Sequence, residues 1–243
     1  MVAIINLNFM SSDIHLYNLH PEKYSELQNL RPDYKSAIDV TVSLAIKHLK
    51  NRNEISVADF CGGIGNVTKK IAENMPVSKA SIIDINKEFL NIAELSGIKV
   101  KELETINSDI LNVKLKKDFD LILSVFSYHH VTDDKKEKYL EIALNGLRED
   151  GFLILTEIYL PDQDITKQYY RKLLDEIPTK NSLLENFLTE TANSTSFEYK
   201  VSKEFAARQL EMLGFKEIES VKIWPLDNTF DENIGTFVQV FRK

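Results

Sequence analysis

A glycine-rich turn between an apolar run and a helical pattern constrains this chain most. Residues 57–68 spell VADFCGGIGNVT, and three of the eight glycines of the chain lie within four consecutive positions of this stretch. Residues 54–60 have the partly β-branched character of a buried strand, and Val67, Ile71 and Ala72 follow at helical spacing. Glycine permits a tight turn and a close ligand approach, and a helix N-terminus offers free N–H groups. The stretch therefore predicts a strand–turn–helix unit that binds a polar or anionic ligand.

The same strand–helix alternation continues along the chain and predicts an α/β fold. The nearly continuous apolar run of residues 121–125 is typical of a strand covered on both faces, as in a parallel sheet. Two last strands, at 215–224 and 236–241, have no helix between them, so we expect them to pair antiparallel. Together they predict a doubly wound, mostly parallel, seven-stranded sheet with a terminal antiparallel strand pair. The five earlier strands are predicted at residues 54–60, 80–84, 100–106, 118–126 and 152–158.

The length and the pattern breaks predict how the chain is organised. The 243 residues suffice for one large α/β domain, so we expect a single domain over 1–243. The strand–helix alternation stops after the fifth strand. Two helix-like stretches with polar connectors follow there and predict a helical lid insertion. Residues 11–31, which are irregular and rich in tyrosine, are expected to cover the same site. The predicted segments are a helical cover (1–50), a cofactor-binding core (51–160), the lid insertion (161–200) and a C-terminal helix with a strand pair (201–243).

Charge and cysteine content limit the partners and the location. The formal net charge of −7 disfavours nucleic acid or an anionic membrane as the main partner. Cys61 is the only cysteine, which excludes an intramolecular disulfide and favours a reducing compartment. No stretch approaches the roughly 20 apolar residues of a membrane span. We therefore expect a soluble, cytoplasmic protein, monomeric or homodimeric, that acts on a small molecule.

Polar or small residues follow the carboxyl end of every one of the five parallel strands. Ligands of open α/β sheets bind outside these ends, where the strand order reverses. The set therefore predicts one site at that edge of the sheet. The strand-end residues are Asp59 to Gly62, Asp84, Ser108 with Asp109, Ser124 with Tyr128 to His130, and Glu157.

With these residues, the chain resembles the class I S-adenosylmethionine-dependent methyltransferases, and within them the small-molecule, quinone-methyltransferase-like branch. The resemblance covers roughly Ile55 to Ile158. The family motif is an acid followed by three glycines at alternate positions, which Asp59, Gly63 and Gly65 match. Cys61 stands where the first glycine usually lies. The resemblance implies a Rossmann-like methyltransferase fold, S-adenosylmethionine as cofactor, and methyl transfer to an oxygen, nitrogen or carbon atom of a small acceptor.

The resemblance also implies which residues hold the cofactor. The glycine loop would wrap the methionine part, and Asp84 would bind both ribose hydroxyls, a task that suits a carboxylate because it can accept two hydrogen bonds. Asp109 would meet the adenine amino group, with Ile110 beside the ring. The stretch from Ser124 to Phe126 would lie beside the methionine. The implied cofactor-binding set is Asp59, Cys61, Gly62, Gly63, Gly65, Asp84, Ile85, Asp109, Ile110, Ser124, Val125 and Phe126.

A histidine and an acid predict the proton chemistry. His129 follows the fourth strand and Glu157 ends the fifth. Parallel neighbours lie about 4.8 Å apart, so the two side chains can meet, and a carboxylate would orient an imidazole that accepts a proton. Some small-molecule members of the family use a similar pair. We predict His129 as general base and Glu157 as its orienting acid, with His130 as the less favoured base. The candidate acceptor contacts are Tyr17, Tyr24, Tyr34 and Tyr128.

Other functions remain open at this point. A nicotinamide dehydrogenase needs G-x-G-x-x-G, of which residues 63–68 supply the first two glycines while Thr68 takes the third place. Asp84 would fit the ribose of that cofactor as well. A non-catalytic protein that binds S-adenosylmethionine is the second alternative. We expect no metal, because the adjacent His129 and His130 lack the usual ligand spacing and no second cysteine exists. The stretch from Ser124 to Ser127 differs from the polar-Pro-Pro-aromatic motif of DNA amino methyltransferases.

Overall fold

One seven-stranded sheet organises the residues that the computed structural model describes, 21–194 and 198–243. Its spatial order is β3-β2-β1-β4-β5-β7-β6. The first five strands pair in parallel, and β7 runs antiparallel to both β5 and β6. The predicted fold class is therefore confirmed. The strands are β1 (Ile55–Phe60), β2 (Val77–Asp84), β3 (Glu102–Asn107), β4 (Phe119–Val125), β5 (Leu147–Tyr159), β6 (Lys216–Trp224) and β7 (Gly235–Arg242).

Eight α-helices of the described residues surround this sheet. They are α1 (Pro21–Gln28), α2 (Pro32–Leu49), α3 (Asn66–Asn74), α4 (Lys87–Leu95), α5 (Lys136–Gly146), α6 (Gln163–Glu176), α7 (Ser182–Asn193) and α8 (Lys203–Met212). Short 3₁₀ helices span Ile110–Asn112, Tyr128–His130 and Asp133–Lys135. None of these helices is both long and apolar enough to cross a membrane. The expectations for Tyr17 and for residues 11–20 of the cover lie outside the described residues.

Strand β1 is the centre of the core because both of its faces are buried. All six of its residues are buried. Ile55 and Val57 belong to the apolar cluster on one side of the sheet, whereas Ala58 and Phe60 belong to the cluster on the other side. This alternation follows from the period of two in a strand. It holds the glycine turn after Phe60 at the carboxyl edge of the sheet.

Two helices begin at side-chain caps, and one strand begins well before its predicted start. Asn86 caps α4 by accepting hydrogen bonds from two backbone N–H groups, and Ser202 caps α8. The strand predicted at 152–158 instead begins at Leu147. Asp150 lies inside this strand as a left-handed residue, with φ of 59°. The register shift against β4 at this place shows that the extra residues bulge out of the ladder instead of ending it.

A buried polar network joins the first helices, the insertion and the sheet. Asp33, at the start of α2, is fully buried and accepts two hydrogen bonds from the Arg31 guanidinium, at 2.7 and 3.1 Å. Its Oδ2 also accepts from the hydroxyls of Tyr169 in α6 at 3.1 Å and Thr236 in β7 at 3.2 Å. Gln28 of α1 accepts from the same guanidinium at 2.8 Å. One carboxylate therefore holds four segments of the chain together.

We expect Asp33→Ala to lower the free energy of unfolding by about 3–5 kcal/mol, because it leaves a buried guanidinium and two hydroxyls without their acceptor. Urea unfolding followed by circular dichroism measures this change. Glu26→Ala is the control, because Glu26 pairs with Lys23 on the exposed surface, where ion pairs contribute little. A similar small effect for both variants would contradict the role of Asp33.

Candidate active site

The loop after β1 contains glycines at positions where a side chain would not fit. Gly63 and Gly65 have φ of 55° and 74°, in the left-handed region. A Cβ at Gly62 would lie 2.6 Å from Cγ of Asp59, and a Cβ at Gly65 would lie 2.8 Å from Cδ1 of Ile82. The predicted glycine turn is therefore a steric requirement of this loop.

Cys61 occupies the position where the family usually has a glycine. Its φ is 51°, so it accepts a left-handed conformation that a glycine would take at less cost. Burial raises the pKa of its thiol well above the ordinary value, and the charge of Asp84 adds to this effect. The thiol therefore stays protonated and acts as a small neutral side chain.

Asp84 and Asp109 lie at neighbouring strand ends, as predicted. Asp84 Oδ2 accepts from the Gly63 N–H at 2.9 Å, and its Oδ1 accepts from the Asn86 N–H at 2.8 Å. Burial raises the pKa of Asp84, against the effect of these backbone donors. Asp109 caps the following short helix through the Leu111 N–H at 2.9 Å. Beside these acids, Ile85 is 73% exposed and Ile110 is buried.

Asp59, near the end of β1, is bonded to the helix that follows the loop. It is buried, and its Oδ2 accepts a hydrogen bond from the Thr68 hydroxyl at 2.7 Å. Burial raises the pKa of Asp59 to about 7, although the Thr68 bond lowers it in part. Thr68 is the residue that stands at the third glycine position of the dinucleotide motif, and the structure gives it this internal role instead.

Of the residues from Ser124 to Phe126, the first lies in the core and the other two are half-buried. Ser124 is fully buried, and its hydroxyl bonds Tyr139 at 2.7 Å and Ser127 at 3.1 Å. The Ser124 hydroxyl is therefore bonded to a residue of α5. Val125 and Phe126 are only half-buried. The Phe126 ring stacks on Tyr34, with centroids 5.6 Å apart. No local sequence pattern indicates that Ser127 and Tyr139 are the partners of Ser124.

His129 and Glu157 meet as the sequence predicts. The His129 Nδ1 lies 2.5 Å from Glu157 Oε1, and the backbone N–H of His129 donates to Oε2 at 3.0 Å. Burial acts to raise the pKa of Glu157, but His129 and the backbone N–H groups of Ile158 and His129 outweigh it and leave that pKa below its usual range. An ionised carboxylate only accepts, so Nδ1 carries the proton and the lone pair lies on Nε2.

A second acid, Glu198, faces the other side of His129. Its Oε2 lies 3.6 Å from His129 Nε2 and contacts the Lys200 ammonium, and its Oε1 lies 3.9 Å from His130 Nδ1. Despite burial, Lys200 and the two histidines lower the pKa of Glu198 to about 2. Burial and the neighbouring His129 lower the pKa of His130 to about 4. We call residues 198–200 the strap.

The strap is fixed to the sheet edge by its backbone. The Tyr199 N–H donates to the His129 carbonyl at 2.7 Å, and the Leu160 N–H donates to the Val201 carbonyl at 3.1 Å. Sequence analysis missed Glu198 because it lies in the insertion, far along the chain from His129, and belongs to no motif. Only the return of the chain to the end of β4 brings it to the histidines.

A small cavity of about 30 Å³ lies beside His129 between the sheet edge, the first two helices and the insertion. Tyr24 and Tyr34, two of the candidate acceptor contacts, line it. Tyr128, another candidate, does not, because its side chain is fully buried and its hydroxyl donates to Gln209 at 2.6 Å. The lining residues are Tyr24, Gln28, Arg31, Tyr34, Phe126, His129, His130, Ile158, Tyr170, Phe187, Thr191 and Glu198.

Part of the chain is similar to known methyltransferases. Residues 57–151, which contain the glycine loop and the ends of β2 to β4, match the family model described as a methyltransferase domain. An uncharacterized methyltransferase of Bacillus mycoides is 25% identical over 119 residues, which are 49% of this chain and 54% of the relative. One of Staphylococcus carnosus is 22% identical over 61% of this chain and 70% of the relative. The chain thus spans about half the length of the Bacillus relatives that it matches.

Solved structures share the architecture of this chain. A Clostridium acetobutylicum S-adenosylmethionine-dependent methyltransferase has a TM-score of 0.64 and 17% identity, covering 93% of this chain and 98% of that one. A Burkholderia thailandensis 1,6-didemethyltoxoflavin-N1-methyltransferase has a TM-score of 0.58 and 18% identity, covering 93% and 91% of the two chains. At such identities the likeness extends to the fold, and the acceptor has to be inferred from the site.

The raised pKa of Asp59 predicts a pH-dependent stability. Its folded-state pKa of about 7 exceeds the unfolded value near 3.9, so its contribution is largest at low pH and is lost as the pH rises from about 4 to 7. Asp59→Asn removes this loss, so the variant should gain stability relative to the wild type between pH 5 and pH 8. Urea unfolding at both pH values, without cofactor, measures the difference. An equal difference at both values would show that Asp59 does not titrate in this range.

Proposed function

We propose that this protein transfers a methyl group from S-adenosylmethionine to a small-molecule acceptor held in the cavity beside His129. The observation that carries the proposal is the His129–Glu157 pair, in which Glu157 holds Nδ1 of His129, a residue that lines the cavity. The pair lies at the carboxyl ends of β4 and β5. The glycine loop follows β1, which pairs directly with β4. Both parts of a methyl-transfer site are thus supported at one edge of the sheet.

The residues at this edge fit the cofactor. A side chain at Gly62 or Gly65 would collide with the core, so the loop keeps its backbone open to a ligand. Each Asp84 oxygen accepts one backbone hydrogen bond and can accept another, which suits the two ribose hydroxyls. Asp109 and Ile110 would lie at the adenine, and Val125 with Phe126 at the methionine. When bound, S-adenosylmethionine supplies a methyl group activated by its sulfonium.

His129 would remove the proton from an acceptor oxygen or nitrogen. Its Nδ1–H donates to Glu157, so the ring orientation and the tautomer are set before the acceptor enters. Nε2 is then the atom that can accept the proton, and the negative Glu157 stabilises the resulting imidazolium. His130 is the weaker candidate, because burial and His129 disfavour its protonated form.

We propose that the first helices and the insertion form the cover of this site within a single domain. Tyr24 of α1 and Tyr34 of α2 line the cavity from one side, and Tyr170 of α6 and Phe187 of α7 line it from the other. Such a cover would exclude water and align the acceptor with the methyl group. In the same direction, the Burkholderia structure of this fold contains 1,6-didemethyltoxoflavin and S-adenosylhomocysteine.

Calorimetry should show binding of S-adenosylmethionine and of its demethylated product in the micromolar range, on the order of −8 kcal/mol. Asp84→Ala should weaken it by roughly 1–3 kcal/mol, because the ribose hydroxyls lose their acceptor. The control is Asp39→Ala, since Asp39 pairs with Lys70 on the exposed surface. Tight binding of NADH with no binding of S-adenosylmethionine would favour the dehydrogenase alternative and overturn the proposal.

Turnover tests the base. With an acceptor found by screening metabolites, His129→Ala should lower the rate of methyl transfer by about 100-fold or more and leave the cofactor affinity unchanged. Glu157→Gln should lower it less, because the ring loses its charged partner but keeps a neighbour of the same shape. His48→Gln is the control for loss of a histidine elsewhere. Near-normal turnover of His129→Ala would show that alignment alone drives the transfer, and no methyl transfer to any acceptor would favour a non-catalytic binding protein.

A further inference from the structure

Three metal-ligating side chains meet beside the cavity. His129 and His130 come from the 3₁₀ helix after β4, and Glu198 comes from the strap. One ligand atom from each lies within 4.8 Å of the other two. His129 Nε2 is 3.6 Å from Glu198 Oε2, and His130 Nδ1 is 3.9 Å from Glu198 Oε1. Tetrahedral ligands at bond lengths of about 2.0–2.1 Å lie about 3.4 Å apart, so small side-chain rotations would bring these atoms to a common ion.

The partners of these side chains are those of metal ligands. A histidine that binds a metal usually donates its other ring N–H to a carboxylate, which is how Glu157 holds His129. The lone pair of Nε2 therefore points away from Glu157. The Lys200 ammonium contacts Oε2 of Glu198, so Oε1, which faces His130, is the oxygen left for an ion. A ligating carboxylate is commonly hydrogen-bonded in this way by an outer side chain.

We propose that His129, His130 and Glu198 bind one divalent transition-metal ion. Two imidazole nitrogens and one carboxylate oxygen favour Zn²⁺ and similar ions such as Co²⁺ or Ni²⁺ over Mg²⁺, which prefers oxygen ligands. Three protein ligands also leave a position open toward the cavity. The adjacent positions of His129 and His130 in the sequence disfavour a metal site when these two histidines are taken alone. The third ligand is supplied by the strap.

Metal binding would regulate the proposed reaction, and this consequence rests on the proposed function. The ion would occupy the Nε2 lone pair that His129 needs in order to accept a proton. Base catalysis and metal binding would then exclude one another at the same atom. We therefore expect Zn²⁺ to inhibit methyl transfer and a chelator to restore it.

The binding test needs neither cofactor nor acceptor. The metal-stripped full chain is titrated with ZnCl₂ by calorimetry, and CoCl₂ is added in parallel to record the absorption bands of tetrahedral Co²⁺. We expect one ion per chain, and at least about tenfold weaker binding in both Glu198→Gln and His130→Ala. Thermal unfolding of each variant confirms that it is folded. His48→Gln is the histidine control and should bind like the wild type.

Stoichiometric binding that weakens only in the cluster variants supports the site. No binding to the wild type, or equal affinity of wild type, Glu198→Gln and His130→Ala, would overturn it. These outcomes are separate from those of the proposed function, because methyl transfer that depends on His129 can be found in a protein that binds no Zn²⁺. Conversely, a confirmed Zn²⁺ site without any effect on turnover would refute the inhibition and leave the site itself established.

Discussion

The Glu157 carboxylate is the group on which the candidate site depends. It is 1% exposed and sits at the end of β5, where it accepts from the ring and the backbone of His129 and from the Ile158 N–H. These bonds bring the loop after β4 onto its neighbouring strand. They also decide which nitrogen of His129 carries a proton. A residue without an acceptor oxygen here would leave the imidazole without an orientation and the loop without its acceptor, so one buried acid sets both the local fold and the chemistry.

The cavity is surrounded by charges that are paired before any ligand arrives. Asp33 holds Arg31, Glu157 holds His129, and Glu198 holds Lys200. Buried ion pairs add little net stability compared with apolar packing, but removal of one partner is costly. Their effect here is on geometry, because Asp33 also binds Tyr169 and Thr236, Glu157 binds His129, and Glu198 faces both histidines across distant parts of the chain. Because every acid has its own basic partner, a ligand that enters can compete for Glu198 without leaving the other pairs exposed.

The cofactor side is governed by space more than by charge. Gly62 lies against Asp59 and Gly65 lies against Ile82, so the loop cannot move inward and its N–H groups stay at the edge of the sheet. Asp84 joins this loop to the end of β2 through the Gly63 N–H. The acid that is expected to bind the ribose therefore also keeps the loop in place. A single carboxylate at this strand end therefore influences both the shape of the loop and the binding of its ligand.

Local patterns in the sequence determined the sheet, the caps and the cofactor loop. Strand burial, the Asn86 and Ser202 caps and the glycine turn depend on neighbours within a few residues, so their signals lie in short windows. Strand ends share one edge in a parallel sheet, and the sequence could therefore predict that His129 and Glu157 meet. It could not predict that Tyr128 turns into the core or that Ser124 bonds Tyr139, because χ angles follow from packing. The contacts of Glu198 with the two histidines, and of Asp33 with Tyr169 and Thr236, were decided by tertiary structure alone, because the long-range return of the chain sets them and no local pattern encodes it.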